Sequence, residues 1–336
     1  MKNNRILRKT IGAACAACVM TACADWTETE SLRLVENGVE QQDAERYALY
    51  VANLKAYKAS DHKVVYGWFD NSEKTPCSRG QHLADVPDSL DVVVATDVRL
   101  TEAERAEVDE LHAKGTRVFG ILSYDGIRRA YDEAVGAEKE TRDFAVVLAE
   151  EVKQGLERLD PFDGLVLEYR GKSPIYMTAE QREETARLQQ LLLKAVGEWK
   201  TGSGKHLAFF GYPAHLIRPA DILPACGIII LPTEHVADKQ EYGIEAMRAL
   251  AADDVPADRF AVSASTVSLD ATDKDTGYVG TDRATTQAAC WTTEPTAGIR
   301  KAGLAILAIQ NDYYNATHTY QYVREAIQIM NPAPAK

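Results

Sequence analysis

The 336-residue chain is 46% hydrophobic and 26% charged, which is enough apolar content to close a core and excludes a disordered chain. Its 38 basic and 50 acidic residues give a net charge of -12, which argues against a nucleic-acid or bare anionic-lipid partner. Beyond the first 22 residues no stretch is long and apolar enough to anchor the chain in a bilayer.

The chain begins with Lys2, Arg5, Arg8 and Lys9, followed by an Ala-rich apolar run from Ile11 to Ala22 that is too short for a permanent span. It ends in Met20-Thr21-Ala22-Cys23, which resembles the cleavage box of bacterial lipoproteins. That resemblance implies removal of residues 1–22 as a signal peptide and lipidation of Cys23. The alternative is an ordinary signal peptide with an incidental cysteine. Without residues 1–22 the chain holds 34 basic and 50 acidic residues, a charge of -16. A tether is expected over residues 23–37, starting with polar Ala24-Asp25-Trp26-Thr27-Glu28-Thr29-Glu30. This acidic start is similar to that of Bacteroidetes surface lipoproteins from glycan-harvesting loci. It implies an outer-membrane lipoprotein, displayed on the cell surface, with the periplasmic face as the alternative.

The folded domain is expected over residues 38–336. The cysteines within it, Cys77, Cys226 and Cys290, cannot all pair within one chain, so no disulfide framework organises the domain. No two of them sit at Cys-x-x-Cys spacing and no His-rich cluster is present, so neither a metal nor a cofactor is implied.

Apolar residues recur at helical spacing from about Val39 to Lys58. Short apolar runs then follow at Lys63–Phe69, Leu90–Thr96, Thr116–Ser123, Phe162–Tyr169, His206–Gly211, Gly227–Leu231, Arg259–Ser265 and Gly303–Ile309. Between and after them the pattern predicts helices at Thr101–Lys114, Arg142–Arg158, Ala179–Lys200, Glu241–Ala252 and Tyr320–Met330. Eight strands alternating with helices match the rhythm of an α/β fold, a single (β/α)8 TIM barrel. An open doubly wound sheet is the rival, but no Gly-x-Gly-x-x-Gly follows the first strand.

The most informative stretch runs from Phe162 to Gly171. Asp160-Pro161 turns in, an apolar run follows, and charge returns only at Glu168 and Arg170. With a period of two, Gly164, Val166, Glu168 and Arg170 share a face, which in a closed barrel looks inward and opens at the C-terminal mouth. The stretch resembles the fourth strand of family 18 glycoside hydrolases, the chitinases and endo-β-N-acetylglucosaminidases, with their Asp-x-x-Asp-x-Asp-x-Glu signature. The first Asp falls on Asp163, the second on Val166, the third on Glu168 and the catalytic Glu on Arg170. Tyr66-Gly67-Trp68-Phe69 and the ending Arg324–Ala333 resemble the first strand and closing helix of Bacteroidetes family 18-like lipoproteins.

The resemblance implies an enzyme type in which the substrate's own acetamido group is the nucleophile and a carboxylic acid protonates the leaving oxygen. Arginine stays protonated at any usable pH and cannot act as that acid. Val166 and the tyrosine-free Leu231-Pro232-Thr233-Glu234-His235 are further departures. The implied protein is a pseudoenzyme, with no catalytic residue in the degenerate motif Asp163, Val166, Glu168, Arg170. It would hold GlcNAc-containing glycans, N-glycans or chito-oligosaccharides, at Glu168, Arg170, Trp68 and Tyr169. Its partners would be that glycan, the membrane through Cys23, and neighbouring glycan-uptake proteins.

Three alternatives stay open. Glu168 and Arg170 also fit a buried structural ion pair without ligand. A displaced acid among Asp70, Asp97, Asp125, Glu234 and Asp312, each just past a predicted strand, would make the chain an active endo-β-N-acetylglucosaminidase-type hydrolase. The third is a structural lipoprotein without a sugar site. Trp68, Tyr124, Tyr169, Tyr212, Trp291, Tyr313 and Tyr314 are predicted near strand ends, where rings offer sugars flat apolar faces. The loop Asp270–Gly277 lacks the spacing of a calcium loop and reads as a solvated turn. Replacing Cys23 by Ala should move the protein from the membrane to the soluble fraction, and unchanged fractionation would refute the anchor.

Overall fold

The computed structural model describes residues 42–332; the expected signal peptide, Cys23, the expected tether and the last four residues lie outside them. Eight parallel strands close into a barrel: β1 (Val64–Phe69), β2 (Val92–Ala95), β3 (Arg117–Ser123), β4 (Gly164–Tyr169), β5 (His206–Gly211), β6 (Ile228–Leu231), β7 (Phe260–Ser265) and β10 (Lys301–Leu307). A two-stranded ribbon, β8 (Tyr278–Val279) and β9 (Asp282–Arg283), lies between β7 and β10. The chain is therefore a (β/α)8 barrel, as its alternating pattern predicts. The helices are α1 (Ala44–Ala59), α2 (Glu102–Ala113), α3 (Tyr124–Gly136), α4 (Phe144–Glu157), α5 (Ala179–Ser203), α6 (Lys239–Leu250), α7 (Ala284–Thr293) and α8 (Gln321–Met330). Short 3-10 turns replace the helix after β1 and after β5.

Helix boundaries follow local chemistry. Thr101 caps α2 through a reciprocal box with Glu104, and Thr178 caps α5 with Gln181. Gly204 closes α5 in the left-handed conformation, φ 68°. Two helices, α3 and α7, escape the sequence pattern. In α3 the last strand residue, Ser123, is itself the N-cap, its Oγ accepting from Gly126 N at 2.9 Å, so no linker announces the helix. In α7 the run ATTQAACWTT carries three-to-four-residue apolar spacing only weakly, among β-branched threonines.

Strand parity sorts the core into two layers. Tyr66, Trp68, Val92, Val94, Phe119, Val166, Ala208, Phe210, Ile228, Ile230, Ala261 and Ala305 pack inside the barrel. Their alternates, such as Val65, Val93, Leu165, Leu167, Phe209 and Val262, pack against the helices. The barrel closes where β10 meets β1, with Gly303 paired to Val64. A Cβ at Gly303 would lie 2.0 Å from the Val64 carbonyl oxygen, so only glycine lets the seam meet.

At the N-terminal floor, Asp91 ties the segment before β2 to β1. Its Oδ2 accepts from Val65 N at 2.8 Å, and its Oδ1 pairs with His62 Nε2 at 2.8 Å. His62 Nδ1 meets the Ser60 carbonyl oxygen at 2.8 Å, so both ring nitrogens face acceptors and the imidazolium suits the site. The hydrogen bond to Asp91 leads in raising the His62 pKa above its ordinary value, against an opposing effect of burial. A pKa raised on folding adds stability that is present in full below the unfolded value, about 6.5, and is lost as pH rises through the folded value. The stability gap between wild type and His62→Gln should therefore widen as pH falls from about 8 to about 6. Denaturant midpoints across that range measure it, and a gap independent of pH would show that His62 is neutral in the fold.

Candidate functional site

At the C-terminal mouth, β4 presents Glu168 and then Arg170 to the interior. Arg170 Nε lies 3.2 Å from Glu168 Oε1, and its Nη1 lies 2.5 Å from Glu234 Oε1, just past β6. Glu234 is in turn held by Ser263, whose Oγ donates to Glu234 Oε2 at 2.8 Å. Ser263 also belongs to a clamp between β6 and β7: Thr233 N donates to its Oγ at 2.8 Å, and Ser263 N donates to Thr233 Oγ1 at 2.9 Å. Beneath the guanidinium lies Phe210, its ring centroid 5.0 Å from the Arg170 Cζ. Burial opposes the charge on Arg170, but Glu234 and Glu168 more than reverse it, so its pKa rises above the already high arginine value. The group is a fixed cation.

The backbone here is pinned from outside the barrel. Asp125, in the first turn of α3, accepts from Arg170 N at 2.7 Å and from Gly171 N at 3.1 Å. His215 Nδ1 reaches the Arg170 carbonyl oxygen at 2.5 Å. Asp125 is therefore occupied in holding the end of β4 in place.

Around the ion pairs lies a cavity of about 500 Å³, lined by Trp68, Asp70, Ser123, Glu168, Arg170 and Phe210 among others. Trp68 packs on Phe210 with ring centroids 5.2 Å apart and is only 6% exposed. Its Nε1 is buried and has no hydrogen-bond partner among the described residues. Glu168 keeps Oε2 free of any hydrogen bond from the described residues. Asp70 is exposed at the rim and carries no ion pair among the described residues. The arrangement offers one carboxylate acceptor, a braced cation and two rings packed at a tilt.

The predicted site residues divide. Glu168, Arg170 and Trp68 meet in the cavity, and Val166 lies deeper on the same inner face. Asp163 sits at the opposite end of β4, its Oδ2 accepting from Val118 N at 2.7 Å and meeting His112 Nε2 at 2.8 Å. Tyr169 does not join the mouth. Odd parity turns it outward into the helical layer, where Gln189 Nε2 donates to its hydroxyl at 2.7 Å. Trp291 is likewise no rim aromatic: it is buried in α7 beneath the Lys301 ammonium.

Among the rim acids, Asp97 pairs with Arg99 and Lys74. Asp312 is buried, caps α8 by accepting from Val323 N at 2.9 Å, and has its pKa raised by that burial. Sequence reasoning missed Phe210 and the partnership of Glu234. The signal for Phe210 was present, since it shares the inward parity of Ala208 one step from the end of β5. No sequence signal pairs Glu234 with a residue 64 positions away.

The structure is a (β/α)8 barrel with a polar site at its C-terminal mouth, an architecture shared by the solved structures it resembles. BT1044, solved as a selenomethionine-labelled variant, matches at a TM-score of 0.62 with 14% identity, over 87% of this chain and 95% of its own. The endo-β-N-acetylglucosaminidase from Cordyceps militaris matches at 0.58 with 18% identity, over 84% and 96%. A family 18 chitinase from Pseudoalteromonas aurantia matches at 0.53 with 10% identity, over 79% and 99%. A search of curated proteins finds no match. The model of glycoside hydrolase family 18, BT1044-like, matches residues 27–329, and the chain belongs to that family.

Replacing Asp125 by Asn should cost about 1.5–3 kcal/mol, because an amide can accept from only one of the two N–H groups and turns a donor toward the other. Thermal unfolding of the variant checks this, and an unchanged midpoint would show that β4 holds its end without α3.

Proposed function

We propose that this chain is a non-catalytic glycan-binding lipoprotein whose barrel mouth holds GlcNAc-containing glycans, N-glycans or chito-oligosaccharides. The observation that carries the reading is Arg170. It stands where the family signature places its proton-donating Glu, and two carboxylates lock it as a permanent cation. Support for the ligand class comes from the related endo-β-N-acetylglucosaminidase and chitinase folds and from the polar groups left open in the cavity. Glu168 Oε2 suits an acetamide N–H, and the Trp68 and Phe210 rings in the cavity lining give a sugar apolar surface. The lipid at Cys23, an outer-membrane location with cell-surface display, and hand-over to neighbouring uptake proteins belong to the same proposal. It rests there on the N-terminal sequence alone.

A second reading, an active endo-β-N-acetylglucosaminidase-type hydrolase with a displaced acid, is favoured by one observation. Asp70 lines the same cavity and has no cationic partner among the described residues.

The purified protein should release no product from N-glycans or chito-oligosaccharides between acid and neutral pH over long incubation. Turnover abolished by Asp70→Asn would instead establish the second reading. In calorimetry the same glycans should bind; Glu168→Gln should weaken binding roughly 10- to 150-fold, the worth of one charged hydrogen bond, and Trp68→Ala should weaken it by loss of apolar surface. Wild type that binds none of them, or variants that bind equally well, would remove the mouth as the site.

A further inference from the structure

A second cavity, about 940 Å³, opens on the outer flank of the barrel beside the end of β4. Its floor is aromatic: Tyr124 and Tyr169 stand 4.9 Å apart, ring to ring. Over it runs the loop from Gly171 to Thr178, which carries Tyr176 at 88% exposed. Tyr176 and its neighbour Ile175, at 82%, are the most exposed large apolar side chains among the described residues. A ring held so far into solvent gains little from packing, and no other aromatic among the described residues is as exposed.

The polar wall is nearly used up. Arg128 pairs with Asp132, Glu184 pairs with Arg187, and Asp125 is spent on the backbone of Arg170 and Gly171. Glu180 and Lys172 remain, one of each sign, both exposed at the edge. A charged ligand would find only one exposed charge of each sign here, with no cluster of either. A neutral polyhydroxylated ring would find flat apolar faces with hydrogen-bonding groups along the rim.

We infer that this flank cleft is a second carbohydrate-binding site, for a neutral oligosaccharide that stacks on Tyr176. It is separate from the mouth, since the wall of β4 lies between the two, but Asp125 borders the cleft and fixes the backbone of Arg170. The inference shares with the proposed function only the ligand class; the residues it depends on are different.

The test is calorimetry and amide-shift titration of the full chain with four neutral probes: chitotetraose, cellotetraose, mannotetraose and xylotetraose. The expected result is that at least one probe binds to Trp68→Ala, in which the mouth is impaired. Tyr176→Ala should weaken that binding roughly tenfold, the scale of one lost aromatic stacking contact, and Tyr176→Phe should retain it. Shifts should map to residues 171–185. Because Tyr176 is exposed, its removal leaves the fold intact, and Glu180→Gln gives an independent reading of the rim. If all binding is lost in Trp68→Ala and untouched in Tyr176→Ala, the flank site is overturned while the mouth reading stands. If no probe binds and the Ile175–Tyr176 loop instead mediates concentration-dependent self-association, the surface is a protein contact and the inference is overturned.

Discussion

In a closed parallel barrel both faces of every strand are covered, so the parity of a residue decides its environment more than its chemistry does. Along β4 that constraint sends Gly164, Val166, Glu168 and Arg170 inward and Leu165, Leu167 and Tyr169 outward. A single-residue slip would bury two charges among helices and expose three apolar side chains to the mouth. The register of eight strands, closed at Gly303, is thus what allows a glutamate and an arginine to stand two residues apart on an otherwise apolar strand.

Once Arg170 is inside, its charge shapes what surrounds it. An unpaired guanidinium half removed from water would be costly, and the chain supplies Glu168 from the same strand and Glu234 from β6. Glu234 is itself kept in place by Ser263, so the ion pair draws β4, β6 and β7 into one polar network at the mouth. Family 18 ancestry explains the position of the site, and this network explains why its centre is electrostatically saturated. What stays unbonded among the described residues lies at its margin, in one Glu168 carboxylate oxygen.

Much of this was legible in the chain. All eight barrel strands fall within about two residues of the apolar runs, because strands buried on both faces must be continuously apolar. Glu168 and Arg170 were readable as an inward pair from the two-residue period alone. Tyr169 was misplaced because proximity to the mouth along the chain was taken for proximity in space, against the parity that turned it outward. The links from Glu234 to Arg170 and from Asp125 to the β4 backbone were illegible, since each joins loops brought together only by closure. Helix α3 was hidden because its cap is the final residue of a strand.

The bracing of Arg170 also makes the mouth sensitive to any change of charge at position 170. A carboxylate placed there would leave three like charges facing one another where Glu168 and Glu234 now share a cation. Such a cluster ionises only partly and repels itself. The three side chains therefore act as one electrostatic unit: the charge on any one of them sets what the other two can carry.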